Sequence, residues 1–284
     1  MVLAIGGILI AAIATGILNY MLQAKITTTQ ARMTAIDDAL GQYLTSNGAY
    51  PCPASLTDPI DTATYGVQVS NDCFGAAVAG GTFRAASVAP APNNTPIRIG
   101  AVPVRTLNLP DQYIDDAWND RFYYAVTEIL ASPGNASVVP LYSPNGGSIT
   151  IIDSKNNFVT LPPNWAHYAI MSVGEDRVGA YTAEGVVGMP CVTGTLESIN
   201  CQQVTGQFRS TLLTGKNIGA NTFDDFVVYH TTAAQGIVPT GLTVPFYNLA
   251  ACPRGWIAPT AAQLDLLPLI SPSPAPNYIY CQKQ

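Results

Sequence analysis

MVLAIGGILIAAIATGILNYMLQA, residues Met1 to Ala24, contains no Asp, Glu, Lys, Arg or His. A helix needs about 20 apolar residues to cross a bilayer, so the run is long enough to be membrane-held. It does not read as a cleaved signal peptide. No basic region precedes the apolar stretch, and the pattern beyond it stays helical. Small residues punctuate the run. Gly7 and Ala11 stand four apart, as do Ala12 and Gly16, a spacing that lets helices approach closely in lipid. Glycine is also simply common in membrane helices.

Working outward, the helical signal continues past Lys25. Met33, Ile36, Leu40 and Tyr43 or Leu44 recur at helical spacing, with Arg32, Asp37, Asp38 and Gln42 between them. Asn47-Gly48 is the expected stop, followed by Pro51 and Pro53. One helix from about residue 2 to 46 would be roughly 70 Å long. Residues 1–25 are then an apolar segment for membrane or filament core. Residues 26–50 are the amphipathic half of the same helix, suited to packing against a globular head.

The remainder reads as a secreted head. Only 11% of the 284 residues are charged, and 12 Lys and Arg stand against 18 Asp and Glu. That balance provides no basic stripe for phosphates, so no nucleic-acid partner is evident. Six cysteines, Cys52, Cys73, Cys191, Cys201, Cys252 and Cys281, all follow the apolar segment, and none forms C-x-x-C. They read as three disulfides made in an oxidising compartment. Six cysteines allow fifteen pairings. The sequential set (Cys52–Cys73, Cys191–Cys201, Cys252–Cys281) closes three local loops. Buried free thiols are the alternative for some of them. A zinc site fits poorly, because only His167 and His230 are available.

Expected strands lie at Arg98–Val104, Phe122–Val126, Ser148–Asp153 (an edge candidate), Tyr168–Ser172 and Phe226–His230. Val88–Pro96 and Ser271–Pro276 read as loops. The fold class is α+β: a long N-terminal helix packed on an antiparallel sheet with long disulfide-bonded loops. The head divides into a β-sheet unit at 51–180 and a disulfide-rich elaboration at 181–284. Asp111, Asp115, Asp116 and Asp120 read as a solvated, capped turn. Trp256 reads as packing under the last disulfide. Catalysis is not expected: neither histidine accompanies a Gly-x-Ser-x-Gly elbow, and no pair of acids stands out.

Three stretches resemble the type IV pilins and type II secretion pseudopilins. The first runs from Ala35-Ile36-Asp37-Asp38-Ala39-Leu40-Gly41-Gln42-Tyr43-Leu44 into Asn47-Gly48-Ala49-Tyr50-Pro51. The second is Asp116-Ala117-Trp118-Asn119-Asp120-Arg121-Phe122-Tyr123-Tyr124. The third is Ser172-Val173-Gly174-Glu175-Asp176-Arg177-Val178-Gly179. They occur in family order and cover about the first 180 residues. The resemblance implies a homo-oligomeric helical filament that polymerises through the N-terminal helix. Met1, Ile5, Gly7, Ala11, Ala12 and Gly16 are then its expected core-packing positions. It also implies residence in the bacterial inner membrane before assembly, handling by a pilus assembly machinery, and an extracellular filament on the cell surface afterwards. Met1 is expected as the processed and methylated first residue, since no basic leader precedes it. Most members carry glutamate at position five; Ile5 here points to a minor, tip-located subunit or to a different way of setting register. A membrane-anchored adhesin that never polymerises is the other reading.

Some secretion pseudopilins hold calcium in a head loop. The resemblance places such a site at Glu175 and Asp176, with Glu184 as a further donor and Arg177 as a competing cation. No other cofactor is implied.

Overall fold

The computed structural model describes residues 2–70, 73, 80–91, 93–131, 146–162, 164–202, 204–214, 220–231, 243–247, 256–258 and 278–283. Within these, side chains are described from residue 17 onward, except in 243–247, 256–257 and 278–283. The chain is α+β. Helix α1 (Val2–Asn47) is followed by strands β1 (Phe83–Ala85), β2 (Ile97–Ala101), β3 (Tyr123–Thr127), β4 (Thr150–Ile152) and β5 (Ala166–Ser172). Then come a one-turn helix α2 (Ser198–Cys201) and strands β6 (Gln207–Arg209), β7 (Phe226–Thr231), β8 (Thr243–Tyr247), β9 (Trp256–Ile257) and β10 (Tyr278–Lys283).

The second half of α1 shows the expected stripe. Met33, Ile36, Leu40 and Leu44 are buried, whereas Gln30, Thr34, Asp38 and Gln42 face solvent. Each such apolar side chain contributes about 1.5–3 kcal/mol on burial. The helix ends where Gly48 takes φ +72° and its N–H reaches Leu44 O at 2.8 Å, a left-handed cap that glycine adopts without strain.

That stripe packs on a five-stranded antiparallel sheet of order β1-β2-β3-β5-β7. All residues of β2, β3 and β5 are buried, so these central strands are covered on both faces, with Arg98, Thr127, His167 and Ser172 enclosed among the apolar side chains. Tyr50, just past the helix, packs edge-on against Tyr168 of β5 at 5.0 Å between ring centres. The sheet draws strands from both sides of residue 180, since β7 pairs with β5. Phe226 is buried, but the rest of β7 is only half-buried because it forms the sheet edge. The expected edge strand at 148–153 touches the main sheet through one antiparallel bridge, Ile149 opposite Ala166 of β5, while its core, β4, is fully buried and pairs in parallel with β6. Strands β8, β10 and β9 form a third, antiparallel sheet.

Polar ties fix the helix across the head. Arg32 Nη1 donates to Asp115 O (2.7 Å) and Asp116 O (3.0 Å). Ala117 N donates to Thr29 Oγ1 at 3.2 Å, and Lys25 Nζ lies 5.9 Å from the centre of the Trp118 ring. One helix carboxylate, Asp37, accepts from Tyr168 Oη (2.7 Å) and sits 2.8 Å from His230 Nε2. Cys52–Cys73 and Cys191–Cys201 are disulfide-bonded as the sequential pairing expects. Cys252 and the side chain of Cys281 lie outside the described residues, as do the side chain of Trp256 and the loop at 271–276.

Candidate functional site

Two loops that carry the recognisable motifs lock into one another. Asp116 Oδ1 accepts from Trp118 N (2.8 Å) and Asp120 N (3.1 Å), while its Oδ2 accepts from Ser172 Oγ (2.6 Å). Gly174 N donates in turn to Ser172 Oγ. Arg177 forks onto both oxygens of Asp120 at 2.6 Å. The acidic run is therefore no solvated turn. Asp116 and Asp120 are fully buried, because one caps its own turn and the other balances an arginine. Burial raises the Asp116 carboxyl to about 6 despite its three donors, and raises half-buried Asp115 to about 6 as well. Asp111, also half-buried, pairs with Arg105, whose hydrogen bonds hold its carboxyl below the usual range.

Arg177 is committed to Asp120. The loop after β5 brings Asp176 against two carboxylates from distant segments, Glu197 and Asp224. One oxygen from each of the three lies within 4.8 Å of the others. Gly174 makes this approach possible. It sits at φ +72°, and a Cβ there would meet Asp224 O at 2.3 Å. Gly179, at φ +81°, likewise admits Cys201, whose Cβ would stand 2.4 Å from an added methyl. Both glycines belong to the motif read from the sequence.

Backbone amides orient the three acids. Asp224 Oδ2 accepts from Glu175 N (2.7 Å) and Asp176 N (2.8 Å). Asp176 Oδ1 accepts from Val178 N, and Glu197 Oε1 accepts from Asp224 N at 2.7 Å. Asp225, next in sequence, is buried and accepts from Asn200 Nδ2 at 2.7 Å. Burial pushes all four carboxyls upward, Glu197 to about 9 and Asp224 to about 6. The charges of Asp225, Asp176 and Asp224 add to the rise at Glu197.

Of the expected calcium ligands, Asp176 lies in this cluster, whereas Glu175 contributes its backbone N–H to Asp224 rather than a clustered carboxylate. Glu184 is exposed, and its charge acts on Arg121. Glu197 and Asp224 were not legible as members of this cluster. The only sequence hint was their position: Glu197 inside a short cystine loop, and Asp224-Asp225 just ahead of an apolar strand.

A second feature lies on the helix. Ile17, Leu18, Tyr20 and Met21 are exposed by half or more. Next to them, an open groove of about 660 Å³ runs between the helix (Tyr20, Gln23, Thr27, Arg32) and the turn holding Gln112 and Tyr113. The expected packing positions Met1, Ile5, Gly7, Ala11, Ala12 and Gly16 lie outside the described side chains. Among the described residues, no helix is long and apolar enough to cross a membrane. His167 is fully buried beside Tyr50, and His230 is occupied with Asp37. Compared with models of protein families, with curated proteins and with solved structures, the chain matches none.

Proposed function

We propose that this chain is a structural subunit of a type IV pilus-like filament, polymerising through α1. The observation that carries the reading is the change of character along one helix. From Thr29 onward its inner face is covered by the head, while Ile17, Leu18, Tyr20 and Met21 stand uncovered. They continue an uncharged run that reaches back to Met1. Exposed apolar side chains in a continuous patch call for a partner surface. In this reading the lipid covers them before assembly and neighbouring helices cover them afterwards. The three motif stretches, the two disulfides and the α+β head support the same assignment. Ile5, where most related subunits carry glutamate, favours a minor, tip-located role as the second reading.

The test is shear fractionation of cells making the full chain. Ile17→Asp is expected to leave the head's thermal unfolding unchanged while removing the protein from sheared filaments. Wild-type levels of the variant in intact filaments would overturn the packing role of α1. A wild-type chain found solely in membranes, never in the sheared fraction, would favour the non-polymerising anchor.

A further inference from the structure

Asp115 and Arg121 stand opposite one another where the chain doubles back before β3, as an antiparallel bridge. Asp116 N donates to Asp120 O, and Phe122 N donates to Ile114 O, on either side of the pair. That pattern makes 115 and 121 a non-hydrogen-bonded pair, whose side chains leave the same face close together. The Arg121 guanidinium is fully buried and lies 5.1 Å from the centre of the Tyr65 ring. Tyr65 comes from the loop closed by Cys52–Cys73 and is 1% exposed. Two distant segments thus set an arginine, a carboxylate and a phenol side by side.

The arginine is only partly used by the protein. Its Nη1 donates to Ser55 O at 3.1 Å, and its Nη2 donates to Asp58 O and, at 2.7 Å, to Ala183 O. Its Nε–H is enclosed and meets no protein acceptor. Tyr65 Oη and Asp115 Oδ1 are enclosed without a protein partner as well. Burial pushes the Tyr65 phenol up to about 12, and among the charged neighbours Asp115 acts on it most strongly. The hydroxyl therefore sits in the field of that carboxylate. Three polar atoms stripped of solvent at one place are costly unless something bonds them.

Their chemistry selects the ligand. Arg121 Nε–H and Tyr65 Oη–H are two donors, and Asp115 Oδ1 is one acceptor. No pair of the three bonds directly. A cation would face the guanidinium, and an anion would face the carboxylate. Water accepts from two donors and gives its own hydrogens to acceptors, and a buried water typically makes about three hydrogen bonds. The geometry points to a single structural water bound by Tyr65, Asp115 and Arg121, accepting from Nε–H and Oη–H and donating to Oδ1. It joins the Cys52–Cys73 loop to the turn that Arg32 of α1 holds through Asp115 O and Asp116 O, whether or not the chain polymerises.

Tyr65→Phe tests this through the sign of its effect. The substitution keeps the ring beside the guanidinium and removes only the hydroxyl. If that hydroxyl holds a water, the urea midpoint of the full chain in detergent should fall. A buried hydroxyl that bonds nothing would instead give an unchanged or higher midpoint, and that result would overturn the proposal. Crystals of the full chain, at a resolution that shows ordered solvent, should place one water within hydrogen-bonding distance of Arg121 Nε, Tyr65 Oη and Asp115 Oδ1. A map with apolar atoms closing that space, or with Tyr65 bonded directly to Asp115, would overturn it equally.

Discussion

Ser172 Oγ donates to Asp116 Oδ2 across 2.6 Å, both residues being fully enclosed. This bond ties the end of β5 to the turn that Arg32 of the helix grips from the other side. Ser172→Ala leaves a buried carboxylate oxygen without its donor and Gly174 N without its acceptor. A loss of about 1–3 kcal/mol is expected, read from urea unfolding of the full chain. A loss within error would show that the bond is replaced by solvent.

Gly174→Ala places a methyl group against Asp224 O and forces φ +72° on a residue that resists it. The strain alone is worth about 1–3 kcal/mol. The overlap is with backbone, so it can be relieved only by moving the two segments apart. The variant should lose stability, read from urea unfolding. An unchanged stability would mean that the loop after β5 can rearrange freely.

Asp37 serves two sheet strands at once, through Tyr168 and His230. A double-mutant cycle of Asp37→Ala with Tyr168→Phe should give a coupling of about 0.5–3 kcal/mol. Purely additive losses would place the helix–sheet attachment in apolar packing alone.

Stability should fall as pH rises. Asp115, Asp116 and Asp224 have carboxyls raised to about 6, and Glu197 to about 9, in each case chiefly by burial. The folded chain therefore holds protons that the unfolded chain has already released. That contribution is fully present below the ordinary carboxyl range near 4 and is lost as pH climbs through each raised value. Melting temperatures are expected to be lower at about pH 8 than at about pH 5. A flat profile would contradict burial of these acids.

Much of the fold was legible because its signals are local. The spacing of Met33, Ile36, Leu40 and Leu44 predicts the buried stripe, and Asn47-Gly48 its end. Cys52–Cys73 and Cys191–Cys201 close short loops, so the sequential pairing could be anticipated. What escaped is non-local. Asp116 and Asp120 look like a wet acidic turn until Ser172 and Arg177 arrive from another loop. The run at 148–153 has the composition of an edge strand, yet its partner β6 lies more than fifty residues later (Thr150 opposite Gln207). The acid cluster is the extreme case. Asp176 was a candidate ligand from its own loop, but Glu197 and Asp224 acquire meaning only once a cystine loop and a strand are folded beside it.

The grip of Arg32 on two successive carbonyls has a mechanical corollary. Ahead of Leu22 the helix is a lever, and the fork at Asp115 and Asp116 is its fulcrum. A sideways push on the free arm becomes torque at that turn, which Asp116 relays to Ser172 and the root of β5. The hydrogen bonds from Arg32 through Asp116 to Ser172 thus run from the helix to the end of β5, alongside the close packing around Met33 and Leu40.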